Sequence, residues 1–391
     1  MNRLRNVALA CVVYLCLDLG LAQLLRGTTL WDSIALERGY RVSVQPYHHG
    51  LIPNVDVGAV WGGTHYHMRT NSLGFRDAVV RTIPLHSASP RAILIGDSFT
   101  EGLGVAYEQT YASLLTTCFA TRGIQVLNAG VMSYSPSIYY RKLKYLLESQ
   151  GLTFDYVIVA IDLSDIGDEA RRYETDARGR VVSRPDSGPV RPGDNLKVLL
   201  TEHSLLLHVI HQVRASVYAS RADPSLYSDW TNDSHAFHDY GAVGVRLAVE
   251  RMDSLVGLLR RRGIGLAIVV YPYPGEIARR DSTSLQVRVW RKWASDHAVP
   301  FFDLFPAFLS YGPAPATVAD NFIPHDVHWN PRGHQLVART LLRDGLADSV
   351  NAYLTGKGRA VPGADTHQAS GNFGCDFARG SGLIRGLSVA H

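Results

Sequence analysis

Cysteine is scarce in this chain, with four in 391 residues, and two of them, Cys11 and Cys16, fall in an apolar N-terminal stretch. No disulfide framework can therefore organise the fold. Cys118 lies in a helical pattern and reads as a small core residue, and nothing in the sequence supports a bond from it to Cys375. An excess of charge of one sign is also missing: 39 basic residues face 35 acidic ones, leaving a net +4. The only basic run, Arg260-Arg261-Arg262, suits the C-terminal end of a helix. Without a basic stripe or a reader motif, a nucleic-acid partner is excluded. No internal repeat is visible. The His and Asp residues nowhere offer a third ligand at metal spacing, so neither a metal nor another cofactor is expected. Hydrophobic residues at 46% exclude wholesale disorder.

Long apolar runs are also rare, and the exception is at the N-terminus. Arg3 and Arg5 precede Val7 to Leu25, a stretch long enough to cross a bilayer at roughly 20 residues per span. Asp18 interrupts it at a cost. No small-x-small cleavage site follows, so an uncleaved signal anchor is expected over residues 1–30. The basic flank stays cytoplasmic. A single-pass protein of the cell inner membrane, with its remaining domain in the periplasm, is the expectation.

Residues 31–90 read as an irregular extension that packs on the following domain. From residue 91 to 354 strands alternate with helices. The strands are Ala92–Ile95, Gln125–Leu127, Tyr156–Ile161, Leu266–Tyr271 and Phe301–Leu304. The helices are Tyr107–Ala120, Ser137–Ser149, Val243–Arg262, Leu285–His297 and Pro331–Tyr353. Short apolar runs, each followed by a helix, predict an α/β fold with a doubly wound five-stranded parallel sheet, whose ligands gather at the strand C-termini. Residues 165–242 interrupt the alternation as an insertion holding one amphipathic helix, Leu196–Val217. Residues 355–391, rich in Gly, Ser and Ala without periodicity, read as a disordered tail.

Two blocks carry chemistry. Gly96-Asp97-Ser98-Phe99-Thr100-Glu101-Gly102 begins where the first of these strands ends, which delivers Ser98 to the mouth of the sheet. A serine there attacks a carbonyl if a base takes its proton and N–H groups receive the oxyanion. Thr100 stands where the G-x-S-x-G elbow of α/β-hydrolases would need glycine. Read alone, the block also suits an anion-binding turn. The second block, Pro324-His325-Asp326-Val327-His328-Trp329-Asn330-Pro331, supplies a base in His328 and a carboxylate in Asp326.

Taken in order, Gly96-Asp97-Ser98, Gly130 after the second of these strands, the polar end of the third and the Asp/His block resemble the GDSL/SGNH hydrolase superfamily over residues 91–345. The resemblance implies a flavodoxin-like sheet and acyl-ester hydrolysis or acyl transfer. It implies Ser98 as nucleophile, His328 as base, Asp326 as its orienting carboxylate, and an oxyanion hole from the N–H groups of Ser98 and Gly130 with an Asn side chain. Here Ser164 holds the place of that Asn. Asp326 precedes His328 by two residues where the family commonly has three, with His325 in that place. The Asp-x-His-Trp arrangement is similar to the branch that O-acetylates envelope polysaccharides. Three readings follow: an esterase on acyl or carbohydrate substrates, an O-acyltransferase needing a membrane partner as acyl donor, and a non-catalytic carbohydrate-binding protein. Segment 70–76 (Thr-Asn-Ser-Leu-Gly-Phe-Arg) is expected to be structural, His65 and His67 to be surface residues, and Trp290 and Trp293 to be core.

Overall fold

A computed structural model describes residues 2–25, 28, 40–61, 64–184, 205–206, 210 and 228–359. The expected helix Leu196–Val217 and tail 355–391 fall largely outside them. Asn2–Leu25 is one helix, and its stretch Arg3–Leu25 is long and apolar enough to span a membrane, with a mean hydropathy of 2.1 and none of it buried. Its carboxylate has a partner: Asp18 Oδ1 accepts the Leu206 N–H at 2.6 Å.

Residues 41–69 form two hairpins rather than an irregular path. β1 (Arg41–Val44) pairs antiparallel with β2 (His48–Leu51), and β3 (Asp56–Trp61) with β4 (Thr64–Arg69). The central sheet comprises β5 (Arg91–Ile95), β6 (Gln125–Asn128), β7 (Tyr156–Ile161), then, past the small hairpin of β8 (Tyr173–Thr175) and β9 (Val181–Ser183), β10 (Gly265–Val270) and β11 (Phe301–Asp303). All pairs in it are parallel, in the order β11-β10-β7-β5-β6. The strands read as unbroken apolar runs because helices cover both faces, and β5, β7 and β10 are buried throughout. Successive strands run outward from β5 in opposite directions, so the order reverses between β5 and β7. A crevice opens at such a switch point, beyond the strand C-termini.

The helices Tyr111–Ala120, Pro136–Glu148, Ala242–Arg261 and Leu285–Asp296 fall where periodicity placed them, with Trp290 and Trp293 buried on the last. The expected helix over 331–353 is two, Pro331–Arg343 and Leu346–Gly356. Gly345, at φ 87°, turns the chain between them in the left-handed region that a side chain resists. Asn330 caps the first of the two by accepting the N–H groups of Arg332 and Gly333. Cys118 is buried, as expected, but is disulfide-bonded, and its partner lies outside the described residues.

Candidate active site

β5 ends at Ile95, and the chain turns at once into a single helical turn, Ser98–Glu101. Asp97 caps it, its Oδ1 accepting the Phe99 N–H at 3.1 Å. This places Ser98 first in the turn, its own N–H without a partner among the described residues. The turn is held from behind by Arg76, whose buried guanidinium donates to the carbonyls of Glu101, Gly102 and Val105. Segment 70–76 is therefore structural, as expected, with a specific task. Glu101 is locked in turn by Arg41 from β1 at 2.8 Å and by the Met132 N–H at 2.7 Å.

His328 arrives from the loop before the helix Pro331–Arg343. Its Nε2 lies 2.7 Å from Ser98 Oγ and its Nδ1 lies 2.6 Å from Asp326 Oδ1. The two-residue spacing is accommodated by a tight turn in which Asp326 Oδ1 also accepts the His328 N–H at 3.0 Å. His325, the other residue at family spacing, sits at φ 61° and belongs to this turn. Burial alone would raise the pKa of Asp326. The hydrogen bonds and charge of His328, with a bond from Trp61, outweigh burial and hold it at about 2. An ionised carboxylate, an imidazole and a hydroxyl thus lie in line, an arrangement that can move a proton off the serine.

Beneath Ser98 lies a cluster of acids. Asp97 Oδ2 is 3.0 Å from Ser98 Oγ. The Tyr271 hydroxyl touches both Asp162 Oδ2 at 3.0 Å and Asp97 Oδ1 at 3.3 Å, and Tyr273 donates to Asp162 Oδ1. Tyr139 donates to Asp165 Oδ2 at 2.9 Å. Burial, then the neighbouring Asp162, pushes Asp97 well above the usual carboxylate range, and burial with the same neighbours does so for Asp165. The phenols supply the protons that these oxygens need in a dry interior. Asp162 and Asp165 do hold the loop together: Asp162 accepts the Ser164 N–H, and Asp165 that of Asp162.

The oxyanion donors depart from expectation. The Gly130 N–H is already engaged, donating to Asn128 Oδ1 at 3.1 Å, so in this arrangement it is not free for an oxyanion. Gly130 matters instead for close approach, because a Cβ there would stand 2.5 Å from Thr100 Cγ2 and 2.6 Å from its Cβ. Ser164 is half-buried, its N–H bound to Asp162 Oδ1 at 2.6 Å.

Sequence reasoning missed Trp61. Its indole N–H donates to Asp326 Oδ2 at 2.7 Å, and its ring stands edge-on to His328. An isolated Trp at the end of a short hairpin strand carries no signal that a loop 265 residues away will meet it. His65 is exposed and His67 pairs at the surface with Asp56, and no group of three metal-ligating side chains is found among the described residues.

Comparison with known proteins gives a family and several distant folds. No curated protein matches the chain. Among solved structures, a catalytic mutant of an acetylxylan esterase from Geobacillus stearothermophilus is 15% identical, covering 67% of this chain and 96% of its own, with a TM-score of 0.38. The lipase/acylhydrolase from Enterococcus faecalis is 13% identical, with coverage of 66% and 96% and a TM-score of 0.38. The α/β hydrolase LAE5 from the metagenome of Lake Arreo, Spain, is 17% identical, with coverage of 69% and 98% and a TM-score of 0.36. Likenesses this distant leave the chemistry to be read from the site. The GDSL-like lipase/acylhydrolase family matches residues 94–336, a span that starts within β5 and takes in both the serine and the histidine blocks. The chain belongs to that family.

Proposed function

We propose that the protein is a serine esterase acting on acyl esters, with carbohydrate acetyl esters of the cell envelope as its substrate class. The observation that carries this is the unbroken line Ser98 Oγ, His328 Nε2, His328 Nδ1, Asp326 Oδ1, with steps of 2.7 and 2.6 Å. In this reading Ser98 attacks the ester carbonyl while His328 takes its proton, and Asp326 holds the imidazole and balances the imidazolium. The alcohol leaves with the proton that His328 returns. Water then repeats the cycle on the acyl-serine, releasing the acid and restoring Ser98. The oxyanion draws on the Ser98 N–H. Gly130 contributes only if Asn128 gives up its hold on it, and Ser164 only through its hydroxyl, since Asp162 holds its N–H. Asp97 Oδ2, 3.0 Å from Ser98 Oγ, competes with His328 Nε2 for the serine's hydrogen.

The membrane-facing part of the proposal rests on the apolar helix Arg3–Leu25, which anchors the enzyme in the inner membrane with the remaining domain on the periplasmic side. Transfer to a sugar hydroxyl instead of water is the second reading. The Asp-x-His-Trp spacing favours it, and it requires a membrane partner to supply acyl groups.

The test is turnover of a short-chain aryl ester, together with labelling by a fluorophosphonate, for the native protein, Ser98→Ala and His328→Ala. Both variants are expected to lose at least ~10³-fold in turnover while remaining folded. Full activity in Ser98→Ala would refute the serine mechanism. Labelling of the native protein without hydrolysis would favour the transferase.

A further inference from the structure

Trp61 lies outside the span that matches the family, on a hairpin that the sequence marks only as packing. It nevertheless reaches the centre of the site. Asp326 has two carboxylate oxygens, and both donors that reach Oδ1 come from one residue, His328, through its Nδ1 and its backbone N–H. That crowding follows from the two-residue spacing, which folds the carboxylate back over the backbone of the residue whose ring it holds. Oδ2 is then on the far side, and its hydrogen-bond donor among the described residues is the Trp61 indole at 2.7 Å. The terminal torsion of an aspartate is soft and roughly two-fold, so a carboxylate held at one oxygen alone can swing out of the imidazole plane.

The Trp61 ring adds a second restraint. It stands edge-on to His328 with centroids 5.3 Å apart and planes at 86°, while Phe99 tilts against the same imidazole at 4.9 Å and 37°. The imidazole is therefore held between a ring from the N-terminal hairpin and a ring from the serine turn. Gly104 makes room for this: a Cβ there would stand 3.3 Å from Trp61 Cδ1. Trp61 itself ends β3, fixed opposite Thr64 by the ladder with β4.

We propose that Trp61 is a positioning residue of this active site, its indole N–H fixing the plane of the Asp326 carboxylate and through it the orientation of His328. The proposal rests on the serine reading above.

The test uses the full chain in detergent micelles and measures the rate at which a fluorophosphonate labels Ser98, a readout that works for a hydrolase or a transferase. Trp61→Phe keeps an aromatic ring and removes the donor. It is expected to slow labelling about tenfold with the melting temperature little changed, since a bond to a charged group is lost but little packing. Trp61→Gln keeps an N–H donor and is expected to recover part of that rate, which a purely space-filling role would not allow. In an Asp326→Ala background, Trp61→Phe is expected to have no further effect. Native-rate labelling of Trp61→Phe, or an equal slowing in the Asp326→Ala background, overturns the proposal. Ser98→Ala separates the two claims: labelling that survives it, or a native chain that is never labelled, removes the serine reading and this inference with it. A silent Ser98→Ala beside an unaffected Trp61→Phe removes this inference alone.

Discussion

Asp97 sits between two roles, as cap of the serine turn and as floor of the site. Burial and Asp162 raise its pKa well above the ordinary value, so from about pH 4 upward the unfolded chain releases a proton that the folded chain keeps. The folded state binds more protons at Asp97 in that window, and this group's contribution to stability falls as pH rises through it. Asp97→Asn keeps an oxygen for the Phe99 N–H and carries no such penalty. We expect the variant to match or exceed the native protein in denaturant midpoint at pH 7, with its advantage shrinking towards pH 4. An advantage that grows on acidification would contradict the assignment. Gly130→Ala tests a different residue-scale claim. Its Cβ would press on Thr100 in a buried turn, so a loss of about 1–3 kcal/mol is expected by chemical denaturation. That Ser98, Asp326 and His328 would be candidates to meet was legible from the serine block at a strand end and the Asp/His block before the last helices, and the structure brings the three side chains together. The engagement of the Gly130 N–H by Asn128 was not legible, because it depends on a rotamer that only the packed loop fixes.

At the scale of elements, the serine turn is too short to be stable by itself. One helical turn leaves its carbonyls open, and Arg76 takes them from 25 to 29 residues upstream. Trimming that guanidinium to Arg76→Met would leave buried carbonyls unpaired. A loss of about 3–5 kcal/mol is expected, with labelling of Ser98 falling in step with the folded fraction. A variant as stable as the native chain would show that the turn needs no such support. The five sheet strands were readable to within a residue or so because strands buried on both faces are written as plain apolar runs. The hairpins of residues 41–69 were not. Their strands are half-exposed and carry polar residues such as His65 and His67, and a run like Thr-His-Tyr-His-Met-Arg shows no apolar face long enough to read. The break at Gly345 was visible as a glycine, but the helical period on both sides of it concealed a change of direction.

For the molecule as a whole, buried histidines set a pH response opposite in sign to that of the buried acids. His334 is buried against Tyr111 and Trp329 and accepts the Tyr111 N–H, and burial lowers its pKa to about 3, while burial, opposed by the bond to the Met132 carbonyl and aided by His48, Arg41 and Lys142, lowers that of His49 to about 4. Both must stay neutral in the folded chain, whereas the unfolded chain binds protons near pH 6.5. Their contribution is complete above that pH and is lost as pH falls towards 4 and 3. The two histidines should therefore lower the thermal midpoint between pH 6.5 and 4, against the opposite contribution of Asp97, and His334→Asn should make the midpoint less sensitive to acid over that window. An unchanged slope would place the acid sensitivity elsewhere. The fold class and the strand-end location of the site were legible from alternation alone, because a doubly wound sheet leaves little choice of where a crevice opens. The joining of the N-terminal hairpins to that crevice was not, since it is set by contacts between distant parts of the chain.

Those distances also order events in time. Ser98 meets its imidazole across 230 residues and Asp326 meets Trp61 across 265, so the first-made and last-made parts of the domain complete each other. As the chain emerges from its N-terminus, the serine exists for most of synthesis with no base beside it. On the proposed mechanism, reactivity would arise only when the final loop closes, and a polypeptide that stalls before residue 328 would carry an inert hydroxyl. On that reading, no separate inhibitor would be needed to keep the serine quiet while the chain is being built.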